Sequence, residues 1–144
     1  MQIYLACTVR GDRSAVAELR SLVASLEGAG HTVLTKHLLE DNVDSAESSL
    51  TERAVYERDI AWLEACDILI ADASGSSFGV GFEVGYVLGR SDRTNQRVVL
   101  LYRADRRDHI SRLIAGNAHP RCRVVPYATT AELEATVASI TDNR

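Results

Sequence analysis

Asp67-Ile68-Leu69-Ile70-Ala71 is the stretch on which the fold turns. After the aspartate its residues are apolar in unbroken succession, without the alternation of a half-solvated strand. It therefore reads as a strand buried on both faces, and such strands belong to parallel sheets flanked by helices. Upstream, Gln2 to Cys7 reads as a first strand and Arg13 to Glu27 as a helix. Val16, Leu19, Leu22, Val23 and Leu26 share one stripe of that helix, and Gly28 and Gly30 stop it. His31 to Thr35 is a second strand, Lys36 to Ser49 a polar, acidic connection without a clear period, and Leu50 to Ala65 a helix. Downstream come a Ser/Gly loop (Asp72 to Gly79), a helix (Val80 to Gly89), a strand (Arg97 to Tyr102), a short helix (Arg107 to Ala115), a fifth strand (Arg121 to Val125) and a last helix (Thr130 to Ile140). This alternation predicts an α/β protein: a five-stranded parallel sheet with helices on both faces, doubly wound and flavodoxin- or Rossmann-like. No repeat, low-complexity tract or linker interrupts it, so residues 1–144 are expected to form a single domain.

Composition narrows the function classes. At 144 residues, with 46% hydrophobic and 25% charged side chains, the chain can build a sizeable core. Sixteen Lys and Arg against twenty Asp and Glu give a net charge of −4. That excludes a generally basic surface, so a nucleic acid polymer is not an expected partner. The longest apolar runs, such as Val98 to Tyr102, are far too short to span a bilayer, and no membrane association is expected. No basic segment precedes the first apolar stretch, so no signal peptide is expected. Cys7, Cys66 and Cys122 are odd in number and form no CxxC pair. They read as small buried hydrophobes, with a reactive thiol at Cys7 as the alternative, and point to a cytoplasmic location.

In doubly wound folds, ligands bind beyond the carboxyl ends of the strands. Glu83 stands out there as the sole charged side chain between Ala73 and Gly89, in a helix apolar nearly all round. Burying a lone carboxylate is costly, so Glu83 reads either as a working group or as a carboxylate engaged by a backbone cap or an arginine. Asp59 lies on an otherwise apolar face through Val55, Trp62 and Cys66. Two carboxylates on apolar faces are the equipment of glycosyl transfer.

Gly79, Gly81 and Gly85 form G-x-G-x-x-x-G, one residue off the dinucleotide fingerprint. Thr35-Lys36-His37 stands where an acid would read a ribose hydroxyl, and there is no P-loop, so no cofactor is expected. A Ser/Gly loop opening a helix remains; Ser76, Ser77 and Gly79 are candidate contacts for an anion such as phosphate, the alternative being an ordinary turn. Thr8, Arg10 and Gly11 after the first strand offer a second phosphate contact, or else a solvated loop with Arg13 facing the helix start. His31, His37, His109 and His119 lack metal-ligand spacing, and no metal is expected.

Tyr4 to Arg13, Tyr56 to Leu63 and Ser77 to Gly85 together resemble the nucleoside 2-deoxyribosyltransferase superfamily, and within it the 2′-deoxynucleoside 5′-phosphate N-hydrolases. The resemblance implies that Glu83 is a nucleophile toward the anomeric carbon, Asp59 its acid/base partner and Tyr4 the residue that orients Glu83. Carboxyl groups about 5 Å apart suit such a retaining double displacement. It further implies that Thr8, Val9, Arg10, Gly11, Ser77 and Gly79 hold the substrate's 5′-phosphate. Ser111 would reach the neighbouring site of a homodimer. The family's first loop usually reads Gly-Ser-Ile-Arg-Gly-Gly-Arg; here Cys7, Thr8 and Asp12 replace the first Gly, the Ser and the last Gly. Asp12 thereby adds a negative charge beside the implied anion site. The implied activity is hydrolysis of the base–sugar bond of nucleoside 5′-monophosphates. A base-exchanging deoxyribosyltransferase and a non-catalytic nucleotide-binding module are the rivals.

Overall fold

The computed structural model describes residues 1–142. Five parallel strands, β1 (Gln2–Ala6), β2 (Thr32–Val33), β3 (Ile68–Asp72), β4 (Arg97–Arg103) and β5 (Cys122–Tyr127), form one sheet in the order β2-β1-β3-β4-β5. All five residues of β3 are buried, as the unbroken apolar run predicts. Because side chains alternate along a strand, the sheet feeds two cores. Ile3, Leu5, Ile68, Ile70, Val99 and Leu101 face one side, with α1 (Val16–Gly28) and α6 (Thr130–Asp142). Tyr4, Ala6, Leu69, Ala71, Val98 and Leu100 face the other, with α3 (Glu52–Ala65) and α4 (Phe78–Arg90). Sequence order reverses direction across the sheet between β1 and β3, the place where doubly wound folds open a ligand crevice.

Several elements differ from the sequence expectation. The second strand has two paired residues instead of five. Leu34 N–H still donates to Ile3 O at 2.9 Å; beyond it the buried Thr35 hydroxyl replaces the ladder, accepting from Leu5 N–H at 2.9 Å and donating to Leu5 O at 2.7 Å. The connection from Lys36 is not irregular. It holds a 3₁₀ turn (Lys36–Leu39) and α2 (Val43–Ser48), which bury Leu38, Leu39 and Val43; both pieces are too short to show a period. The helix expected at Arg107 to Ala115 is a 3₁₀ segment (Ala104–His109) followed by the four-residue α5 (Arg112–Ala115).

Two expectations about burial are corrected. Of the α3 stripe Val55, Asp59, Trp62 and Cys66, only Cys66 is buried; within the helix it is Leu63 that reaches the core. Val55, Asp59 and Trp62 are half-buried. Helix α4 is not surrounded: Val80, Val84 and Val87 are buried, but Phe78 is fully exposed and Phe82 is 53% exposed. A helix can be apolar all round and still cover the sheet with one face, leaving the other for a partner.

Candidate active site

Tyr4 is buried in the middle of β1 on the α3/α4 side of the sheet, and Glu83 reaches it from the second turn of α4. The Tyr4 hydroxyl donates to Glu83 Oε1 at 2.6 Å, the length of a charge-assisted bond. Burial pushes the Glu83 carboxyl up to about 7; the Tyr4 hydrogen bond pulls it down and the nearby Asp59 charge raises it further. Burial and the Glu83 charge hold the Tyr4 phenol far above its ordinary value, so it remains a donor. Asp59 projects from α3 and its charge acts on both Tyr4 and Glu83. The structure thus brings the three sequence-predicted groups together.

Asp59 has its own support. Arg58 Nε donates to Asp59 Oδ1 at 2.9 Å, and the same guanidinium grips Glu47 of α2 through two bonds of 2.9 and 3.1 Å. It also lies 5.0 Å from the centroid of the Trp62 ring. Arg58 and, to a lesser degree, His37 hold the Glu47 carboxyl below its usual range. His37 Nε2 is 3.3 Å from Glu47 Oε1, and its ring centroid is 5.5 Å from that of Trp62. Sequence reading missed Arg58 and Glu47. Arg58's place next to Asp59 was a usable signal, but nothing local tied α2 to α3.

The loop after β1 is built by its own side chains. Thr8 Oγ1 accepts from Gly11 N–H at 2.9 Å, and a Cβ on Gly11 would lie 2.7 Å from that oxygen, so this turn excludes larger residues. Arg13 does not face the helix start: it donates to the carbonyls of Thr8, Leu38 and Glu40, tying the loop to the 3₁₀ turn. Val9 is half-buried, and exposed Arg10 reaches α2, pairing with Asp44 at 2.8 Å and Ser48 at 3.3 Å. Across the crevice, Asp72 Oδ1 accepts from Ser74 N–H at 3.0 Å and shapes the Ser/Gly loop. Ser77 caps α4, its Oγ accepting from Val80 N–H at 3.3 Å. Phe78 and Gly79, in the first helical turn, have backbone N–H groups without intrahelical acceptors. Ser76 is exposed beside them. Ser111 precedes α5 and lines a cleft along α4 together with Ser76, Ser77, Phe78, Phe82 and Leu113.

Cys7, Cys66 and Cys122 are free thiols; burial raises Cys7 to about 12, which disfavours a reactive thiolate. Among the described residues no His, Cys, Asp and Glu cluster is placed to hold a metal, and no helix is long and apolar enough to cross a membrane.

Residues 3–139 match the profile of the nucleoside 2-deoxyribosyltransferase family. The chain belongs to that family. A Thermofilum pendens relative, provisionally named 2′-deoxynucleoside 5′-phosphate N-hydrolase 1, is 42% identical over 132 residues, spanning 92% of this chain and 89% of the relative. A Danio rerio 5-hydroxymethyl-dUMP N-hydrolase is 33% identical over 129 residues, covering 88% and 87% of the two chains. Among solved structures, a CMP N-glycosidase from Clostridium botulinum superposes with a TM-score of 0.69, over 97% of this chain and 99% of its own, at 17% identity. At that identity the likeness speaks for the fold: a nucleoside 2-deoxyribosyltransferase sheet with its helices around it.

Proposed function

We propose that this member of the nucleoside 2-deoxyribosyltransferase family hydrolyses the base–sugar bond of nucleoside 5′-monophosphates, 2′-deoxynucleotides among them, to free base and sugar 5-phosphate. The observation that carries the reading is the 2.6 Å Tyr4–Glu83 contact with Asp59 close enough to influence both groups. The names borne by the Thermofilum pendens and Danio rerio relatives agree with it.

Glu83 is the nucleophile. Tyr4 occupies Oε1, leaving Oε2 to attack the anomeric carbon. The C1′–Oε2 bond forms as the C1′–N bond breaks; the electron pair leaves with the base, which takes a proton from solvent relayed by the Asp59 carboxylate. Water then attacks C1′ on the face the base has left, giving its proton to Asp59. The ester opens, restoring the Glu83 carboxylate and releasing sugar 5-phosphate. The 5′-phosphate sits between the loop after β1 (Thr8, Val9, Arg10, Gly11) and the start of α4 (Ser77, Gly79), where orphan N–H groups and the positive dipole end favour an anion. Arg10 exchanges a solvent-exposed partner, Asp44, for the phosphate.

The working unit in this reading is a homodimer. Phe78, Phe82 and Leu113, the last 84% exposed, form an apolar face that the chain leaves uncovered. A second copy placed there brings its Ser111 toward the neighbouring phosphate site. The three free thiols fit a cytoplasmic location.

The test is chromatography of base release across ribo- and deoxyribonucleoside monophosphates, with sedimentation of the same sample. Free base is expected from monophosphates, with none from a folded Glu83→Ala variant. Faster base exchange among unphosphorylated deoxynucleosides would establish the transferase instead. Full turnover by Glu83→Ala would remove Glu83 as nucleophile, and a monomer with full activity would remove the dimer.

A further inference from the structure

Asp12 puts a carboxylate beside a site meant for an anion, and the structure shows what becomes of it. Its Oδ1 accepts from Ser14 N–H at 2.9 Å, while Oδ2 lies 3.3 Å from Nη2 of Arg106, in the segment after β4. Arg106 Nε also donates to Ser74 O at 3.3 Å. Asp12 packs on the Ser/Gly loop: a Cβ built on Gly75 would lie 3.1 Å from Asp12 Cβ. The ion pair thus joins the loops after β1 and β4, each side chain 34% exposed, and the Arg106 bond to Ser74 O ties in the loop after β3. The two loops proposed to hold the phosphate touch where Asp12 meets Gly75, so this bridge bounds the cradle between them.

We infer that the Asp12–Arg106 bridge is a specificity element that ends the phosphate site after one phosphate, admitting nucleoside monophosphates and rejecting diphosphates. The inference rests on the reading of these loops as a nucleotide phosphate cradle. A second phosphate would meet the Asp12 carboxylate, and Arg106, held by Asp12 and Ser74, is not free to neutralise it. Like charges about 5 Å apart in an effective dielectric near 20 are enough for roughly 100-fold discrimination, after partial offset by the arginine.

The experiment measures calorimetric Kd and base release for the mono- and diphosphates of the four common 2′-deoxynucleosides. Wild type, Asp12→Asn and Arg106→Ala are compared, with thermal melts to verify folding. Asp12→Asn keeps the acceptor for Ser14, removes the repulsion and frees Arg106. It should tighten diphosphate binding at least 10-fold and change monophosphate binding less than 3-fold. Arg106→Ala leaves Asp12 unneutralised and should weaken both ligands, the diphosphate more. Opposite movements of the selectivity ratio are the signature, since a merely structural pair would shift both ligands alike. Equal wild-type affinity for mono- and diphosphate overturns the inference, as does a common factor in both variants. Selective monophosphate binding without base release would sink the hydrolase reading and leave this one standing; binding of neither nucleotide sinks both.

Discussion

Removing the Tyr4 hydroxyl tests the proposed chemistry most directly. Tyr4→Phe keeps the buried ring, so the core around Ala6, Leu69 and Val80 is retained. It deletes the donor at 2.6 Å from Glu83 Oε1. With that donor present, the Glu83 carboxyl titrates at about 7, and the Tyr4 bond is what pulls it downward. Hydrogen bonds to charged groups contribute about 1.5–3 kcal/mol. At 1.36 kcal/mol per pH unit, losing this one raises the Glu83 carboxyl by roughly one to two pH units. A nucleophile works as the carboxylate, so activity rises with pH through this titration. The wild-type kcat/KM should have its rising limb near neutrality, and Tyr4→Phe should move that limb to about pH 8–9. At pH 7 the ionised fraction falls from about one half to between about one tenth and one hundredth, a loss of roughly 5–50-fold that alkaline buffer recovers. The assay is kcat/KM for base release from pH 5 to pH 10. An unmoved rising limb, or an equal loss at pH 7 and pH 9, would refute the claim that Tyr4 acts by keeping Glu83 ionised.

Three further outcomes follow from the same geometry. The native Glu83 carboxyl, raised from 4.5 to about 7, holds its proton where the unfolded chain has lost it, so it costs stability as pH rises across that window. Glu83→Gln escapes this cost: urea melts should show little gain at pH 5 and up to about 3 kcal/mol at pH 8. In a double-mutant cycle, Arg58→Ala and Glu47→Ala should couple by roughly 1–3 kcal/mol, where a coupling near zero would mean that α2 is not fastened to the Asp59 helix by this pair. Gly11→Ala should cost about 1–3 kcal/mol by forcing a Cβ against Thr8 Oγ1; the penalty should largely vanish in a Thr8→Ala background, as read from thermal melts.

How much of this was legible beforehand depended on the range over which each signal acts. Asp67-Ile68-Leu69-Ile70-Ala71 announced a strand covered on both faces, and the alternation of strands and helices around it predicted the parallel sheet. Glu83 and Asp59 were marked by local incongruity as well as by the three blocks that resemble the family, Tyr4 by that resemblance alone. The 3₁₀ turn and α2 escaped because each is held by contacts distant in sequence: Leu38 and Leu39 pack toward α1, and Arg20 donates to Leu39 O at 2.6 and 3.0 Å. The exposure of Phe78 and Phe82 escaped because an apolar helix face looks the same in sequence whether its own chain or another molecule covers it.

Local composition and periodicity by themselves determined that strands alternate with helices, that the third strand is interior, and that two carboxylates sit on apolar helix faces. These are properties of neighbouring residues, governed by side-chain alternation and the helical repeat. Tertiary structure alone decided that Arg58 draws Glu47 to Asp59 and that Arg106 neutralises Asp12, and it makes the Tyr4–Glu83 pairing, which the family resemblance implied, a direct contact across 79 positions of chain. Each of those contacts joins side chains from separate elements, so it comes into being only when the crossovers bring the carboxyl ends of β1, β3 and β4 side by side.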